Sequence, residues 1–235
     1  MKQLAAKTKF NYSYRRNNMN KIVFKDRVQA GEMLAEALTA YANQADVIVL
    51  GLPRGGVPVA DQVARRLNAP LDLIVVRKLG VPGREELAMG AIASGGIQVI
   101  NAHVVRASRI TPAAIERVAA AELKELQRRE IAFRGHSAAP KVKGKTVILV
   151  DDGIATGATI QAAIQALRQQ EPRRIVIAVP TAASDSCEML EPLVDELVAL
   201  IRPSQFNSVG QWYENFQQTS DAEVRQLIHP SRQNG

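Results

Sequence analysis

Residues 147–160 read VILVDDGIATGATI. The stretch opens as an apolar, β-branched run, turns acidic at Asp151 and Asp152, and passes through small residues and threonines into a helical pattern. Strands usually end in neutral turn residues, because neighbouring carboxylates repel and neither is easily buried without a partner. The turn itself comprises Gly153, Ile154, Ala155, Thr156, Gly157, Ala158 and Thr159 and lies where a helix starts. The first turn of a helix leaves backbone N–H groups unpaired and carries the positive end of the macrodipole, so it receives an anion well. Hydroxyls on Thr156 and Thr159 add donors, which suits the several oxygens of a phosphate monoester. The adjacent acids would repel a bare phosphate. A ribose 5-phosphate answers both demands, with its 2- and 3-hydroxyls on the acids and Mg²⁺ at those hydroxyls offsetting the remaining charge. Taken alone, the turn reads as an ordinary N-capped helix start.

Outward from this stretch, short apolar runs alternate with helical patterns. DVIVLG (46–51), LDLIVV (71–76), TVILVDD (146–152), RIVIAVP (174–180) and ELVALI (196–201) read as strands. Between them, Val28, Leu34, Ala37, Leu38 and Tyr41 share a helical face, as do Ala60, Val63, Ala64 and Leu67. Thr111-Pro112 has the N-cap and first-turn chemistry of a helix start, residues 90–101 read as a hairpin around Gly95-Gly96, and a further helix starts near Ser184. Strands that are apolar throughout and separated by helices predict a parallel sheet covered on both faces, with ligands at the carboxyl ends of its strands.

A second loop, GLPRGGVPVA (51–60), follows the first strand. Arg54 can meet a diphosphate with its planar fork while Gly55 and Gly56 let backbone N–H groups approach; on its own the loop is also a turn with a solvated arginine. No lysine follows Gly157 or Gly56 as a Walker A loop requires, and GLPRGG does not fit G-x-G-x-x-G.

These residues resemble the type I phosphoribosyltransferase family, whose signature is an apolar strand, two acids, a short spacer and a T-G-x-T turn; VILVDDGIATGAT follows it over thirteen consecutive positions. The resemblance covers about residues 20–201. It implies an α/β fold, a parallel central sheet flanked by helices, with a small hood or C-terminal appendage. It also implies a glycosyltransferase of nucleotide metabolism or salvage, a Mg²⁺-dependent pentosyltransferase that displaces pyrophosphate from 5-phosphoribosyl 1-diphosphate (PRPP) with a nitrogenous base. On that footing Asp151 and Asp152 hold the ribose hydroxyls and Mg²⁺, directly or through water. The turn from Gly153 to Thr159 holds the 5-phosphate. Arg54, Gly55 and Gly56, with Arg77 and Lys78 of an R-K-x-G segment similar to that of adenine-type members, hold the diphosphate, and the Pro53-Arg54 peptide is strained or cis. The polar stretch with Pro82, Gly83, Arg84, Glu85 and Glu86 is similar to the mobile catalytic loop that closes over substrate. There Glu85 or Glu86 stabilises a ribosyl cation or accepts a proton from the base, or is simply solvated. No motif assigns the base to an adenine, hypoxanthine, orotate or uracil branch. A PRPP- or nucleotide-sensing regulator on the same fold is the alternative, and a phosphoribosyl hydrolase or pyrophosphorylase would use the same residues.

Four of the ten aromatic residues, Phe206, Trp212, Tyr213 and Phe216, fall near the carboxyl end. They either stack on a base or pin the end of the chain to the core. The chain of 235 residues, 46% hydrophobic and 23% charged, matches one globular domain and excludes collagenous, disordered and disulfide-dense classes. No apolar run is long enough to span a bilayer. The single cysteine, Cys187, points to a buried structural thiol and a reducing cytoplasm. His103, His136 and His229 lack metal-ligand spacing. The net charge of +7 suggests nucleic acid, but Lys2, Lys7, Lys9, Arg15 and Arg16 precede residue 19 with no acid among them, and without them the charge is +2. Residues 1–18 therefore read as a disordered extension or an over-long start, with a nucleic-acid arm or an organelle address as alternatives. Residues 19–235 read as the domain, with 202–235 its appendage, in a protein expected to form a homo-oligomer.

Overall fold

The alternation expected from residues 46–201 is present in the computed structural model, which describes residues 23–135 and 137–229. The basic extension at 1–18, the domain start at Met19 and His136 lie outside the described residues. In chain order, helix α1 (Arg27–Ala37) precedes strand β1 (Val47–Gly51), helix α2 (Gly56–Leu67) and strand β2 (Leu71–Leu73). Strands β3 (Val76–Val81), β4 (Arg84–Ala93) and β5 (Ile97–Ile100) follow, then helices α3 (Ala102–Ala107) and α4 (Pro112–Arg134). Strand β6 (Thr146–Val150), helix α5 (Ala158–Arg168), strand β7 (Arg174–Thr181), helix α6 (Ser184–Leu190), strand β8 (Glu196–Ile201) and helix α7 (Asp221–Ile228) complete the chain.

Five strands form one parallel sheet in the order β2-β1-β6-β7-β8. Every residue of β1 and β6 is buried, which is why these strands show no alternation in the sequence. Their successive side chains still point to opposite faces. Val147 and Leu149 pack with Ile160, Ile164 and Leu167 of α5, whereas Ile148 and Val150 pack with Leu34 and Ala35 of α1 and Val59 and Val63 of α2. Each valine, leucine or isoleucine among them contributes about 1.5–3 kcal/mol on burial. Cys187 is buried on the α5 side, as expected of a structural thiol.

The run LDLIVV does not remain one strand. It ends in the parallel sheet at Leu73, and after Ile74 and Val75 the chain joins a separate antiparallel sheet, β3-β4-β5. Both segments are apolar because both are buried, so composition hides the change of sheet. The polar stretch at 82–86 belongs to a hairpin: β3 and β4 are joined by a tight turn at Pro82-Gly83, where Val81 pairs with Arg84 and Gly83 has φ of +75°. The hairpin at Gly95-Gly96 and the Thr111 cap with Pro112 at the start of α4 match the sequence reading. Together with α4 and α7 the small sheet encloses a core of its own that includes Leu79, Met89, Leu126, Phe133 and Val224.

Candidate active site at the strand switch point

The order of the parallel sheet reverses between β1 and β6. From β1 the chain turns into α2 and on to β2, whereas β6 feeds α5 on the opposite face, so the two connections part and leave a crevice at the carboxyl edge. The loop after β1 is stitched to the end of β6 by Leu52 N–H donating to the Val150 carbonyl at 2.8 Å. A Cβ at Gly56 would lie 2.7 Å from that carbonyl oxygen and 2.8 Å from the Asp151 Cα, so the approach requires glycine. The peptide between Pro53 and Arg54 is cis, in keeping with the sequence expectation.

Asp151 and Asp152 stand directly at this crevice, both partly buried. Burial, then the neighbouring Asp152 charge, holds the Asp151 carboxyl well above the usual carboxylate range. Burial also raises Asp152, opposed by the Arg27 guanidinium. Arg27 opens α1, placed there by Asp26, whose carboxylate caps the helix at the Gln29 N–H. Its Nε and Nη2 each approach Asp152 Oδ2 at 2.8 Å, and its Nη1 donates to the Gln217 carbonyl at 2.7 Å. The Tyr213 hydroxyl donates to the Asp152 carbonyl at 2.6 Å, and burial keeps that phenol protonated. Asp151 Oδ1 accepts the Asp152 N–H at 2.9 Å.

Two helices start near the acid pair: α2 at Gly56, which abuts Asp151, and α5 six residues after Asp152. Neither α2, entered through Gly55, nor α5, entered through Gly157 at φ of +73°, has a side-chain cap. Their first-turn N–H groups are thus free of a capping side chain, with the macrodipole behind them. Around α5 the turn is held from outside. Ile154 is buried in a parallel bridge with Ala182, and the Ser186 hydroxyl donates to the Ala155 carbonyl. Gly157 packs on Met189 and Leu190. Thr156, Ala158 and Thr159 remain exposed.

The structure gathers Asp151, Asp152, Gly153 to Thr159, Arg54, Gly55 and Gly56 about one crevice. It gives the other sequence candidates different company. Arg77 pairs with Glu122 of α4 at 2.6 Å, Lys78 pairs with Glu86 at 3.1 Å, and Glu85 accepts from the Gly83 N–H of its own turn at 3.2 Å. Arg54 itself is paired, with Asp221 at the start of α7, at 3.4 Å. The late aromatics do pin the end of the chain: Tyr213 packs with Phe24, Trp212 stacks on Phe206, and the Phe24 N–H donates to the Trp212 carbonyl. Arg27, Gln217 and Asp221 carry no sequence signal; the aromatic cluster was the one hint that the late segment reaches the site.

The acids fit a magnesium ion that is shared with a ligand. Asp152 has one oxygen committed to Arg27, and Mg²⁺ is usually held by one or two carboxylates plus substrate oxygens and water. Among the described residues no three His, Cys, Asp or Glu side chains gather into a protein-only cage.

Residues 24–211 match the model of the phosphoribosyl transferase domain. The chain is 48% identical over 202 residues to "Putative phosphoribosyl transferase Rv0571c" of Mycobacterium tuberculosis, an alignment covering 86% of this chain and 45% of that protein. This chain thus spans about half the length of the curated relatives it matches. The crystal structure of TT1426 from Thermus thermophilus superposes with a TM-score of 0.79 at 42% identity, covering 88% of this chain and 97% of that one. With the family model and a solved relative both spanning most of its length, the chain belongs to the phosphoribosyl transferase domain family.

Proposed function

We propose that the protein transfers the 5-phosphoribosyl group of PRPP to a nitrogenous base, with Mg²⁺, and releases pyrophosphate. One observation carries the reading: two helices without side-chain caps start beside a partly buried acid pair at the switch point. A ligand with an anion at each end and hydroxyls between them matches that order, and PRPP is such a ligand. Asp151 and Asp152 receive the ribose hydroxyls, the turn from Gly153 to Thr159 receives the 5-phosphate, and Arg54, Gly55 and Gly56 receive the diphosphate. When bound, magnesium supplies positive charge against the acids and the leaving diphosphate. As the bond to ribose breaks, the diphosphate gains charge, so the Arg54 guanidinium stabilises the transition state more than the bound substrate. Residues 19–235 form the working domain in this reading, with 202–235 its appendage, and the setting is cytoplasmic nucleotide metabolism.

A second reading, a PRPP or nucleotide sensor, is favoured by the engagement of Arg77 and Lys78 with acids, which leaves fewer cations for a diphosphate. Two measurements separate the readings. Calorimetry is expected to show PRPP binding that strengthens with Mg²⁺ and is largely lost in the Asp151→Asn, Asp152→Asn double variant; equal affinity in parent and variant overturns the site. Pyrophosphate release is then followed across a panel of bases. With a competent base, Arg54→Ala is expected to lower kcat roughly 10²–10³-fold, the range for one preorganised electrostatic donor, and to raise the PRPP Kd less. A parent that releases no pyrophosphate with any base, and an Arg54→Ala variant that merely binds PRPP more weakly, would favour the sensor.

A further inference from the structure

The Arg27 guanidinium is almost fully enclosed, with 11% of its side chain exposed, and each of its three nitrogens has an assigned partner. Nε and Nη2 converge on a single oxygen, Asp152 Oδ2, and Nη1 takes the Gln217 carbonyl. The Phe216 ring lies 4.0 Å from the guanidinium carbon and closes its flat face. Because both donors converge on Oδ2, Asp152 Oδ1 is left without a hydrogen bond to Arg27. The same fork presses Asp152 against the diphosphate loop: a Cβ on Gly55 would stand 1.9 Å from Asp152 Oδ2 and 3.1 Å from Arg27 Nε. One arginine therefore fixes where the second acid lies between the two anion-receiving loops.

A purely architectural ion pair would be expected to anchor α1. That helix is anchored without it, through Leu34, Ala35 and Leu38 in the core and through the bridge between Phe24 and Tyr213. A guanidinium desolvated against a carboxylate is also weak evidence for stability, since the desolvation penalty offsets much of the attraction. What the pair does supply is geometry: two donors of one planar group fix the position of Oδ2, and because the carboxylate hangs from the backbone through Cβ, the position of Oδ1 follows, whereas a single ammonium would hold Oδ2 less tightly.

We propose that Arg27 is a positioning residue for ribose recognition: it fixes the Asp152 carboxylate so that Oδ1 faces a sugar hydroxyl, and the segment around Phe216 and Gln217 fixes Arg27. The proposal rests on the PRPP reading of the site. It separates sugar from anion, because the acids serve the hydroxyls whereas helix amino ends and Arg54 serve the phosphates.

The test measures three probes by calorimetry with Mg²⁺: ribose 5-phosphate, PRPP and inorganic pyrophosphate. Arg27→Ala is expected to weaken both sugar phosphates about 10–100-fold, the span of one charge-assisted hydrogen bond, and to change pyrophosphate binding less than about threefold. Arg27→Lys, which keeps the charge and loses the fork, is expected to recover only part of the loss. Phe216→Ala leaves every hydrogen bond of the fork in place and is expected to weaken the sugar phosphates about 2–5-fold, in line with one cation–π contact. Circular dichroism and thermal melting establish that each variant is folded. Equal losses for pyrophosphate and ribose 5-phosphate would show a general structural role and overturn the proposal, as would full recovery by Arg27→Lys. If the parent binds PRPP and Arg27→Ala binds it equally, the Arg27 role falls and the site stands. A parent that binds pyrophosphate but neither sugar phosphate overturns the proposed function and the Arg27 role together.

Discussion

Asp151 is a charge in the wrong place for folding. Its carboxyl stands well above the usual range because the charged form is desolvated and faces Asp152. A native carboxyl with a raised pKa keeps a proton that the unfolded chain has already released. The native state then binds more protons, and stability falls as pH rises from the ordinary Asp value of about 3.9 through the native one. Asp151→Asn removes the Asp151 share of that dependence, leaving the smaller one of Asp152. Its melting temperature is expected to exceed the parent's at neutral pH by roughly 2–4 °C, the shift about 1 kcal/mol gives a domain of this size, and to match it more closely at acidic pH. A parent melting curve that does not change with pH, or a variant less stable at neutral pH, would show that the acid pair is relieved some other way. At this scale the sequence revealed whatever is local. The acids, the Gly/Thr turn and Gly55-Gly56 announce themselves because adjacent residues share one job. Arg27 does not, since its partner lies 125 residues away and a single arginine after Asp26 looks like any helix start. Arg77 and Lys78 were visible as cations, but the acids that hold them were not. Glu122 is 45 residues from Arg77, on a helix whose packing no local pattern specifies.

Among the elements, α7 supplies the partner of Arg54. Its first residue, Asp221, pairs with Arg54 across 3.4 Å while both side chains stay more than a third exposed. Exposed pairs are worth about 0.2–1 kcal/mol and weaken with salt. In the proposed diphosphate role of Arg54, the ligand would have to displace this carboxylate. Asp221→Asn keeps the Ser220–Glu223 capping box and is expected to tighten inorganic pyrophosphate about 1.5–5-fold at low salt, with the gain fading as salt rises. An unchanged Kd would show that the contact does not compete. The helices and parallel strands were legible because each carries its own period or a continuous apolar run. The β3-β4-β5 sheet was legible only in part. Its second hairpin shows in Gly95-Gly96, but the passage from β2 to β3 lies within one unbroken apolar run, and the Pro82-Gly83 turn sits among charges that resemble an open loop.

For the whole molecule, charge distribution gives the clearest expectation. Residues before Met19 hold five cations and no acid, and the domain without them is close to neutral at +2. A chain starting at Met19 is expected to bind PRPP as tightly as the full chain. Any RNA affinity should lose up to about 0.7 per cation from its salt slope. RNA binding of equal strength and equal slope in the shortened chain would assign the basic surface to the domain. The alternation of strands and helices gave the layered class, yet the sheet order could not be read from it. That order depends on which side of β1 the next strand joins, and the small antiparallel sheet intervenes at that decision. The Arg27 fork bears on the order in which the protein is made. It joins a residue near the start of the domain to partners 125 and 190 residues later, and closing such long loops is entropically slow. On the ribosome the entire parallel sheet emerges before Gln217 does. A nascent chain with its parallel sheet already packed would still lack the Gln217 partner of Arg27. If the proposed site binds PRPP, a chain not yet synthesised past Gln217 is expected to bind it more weakly than the finished protein.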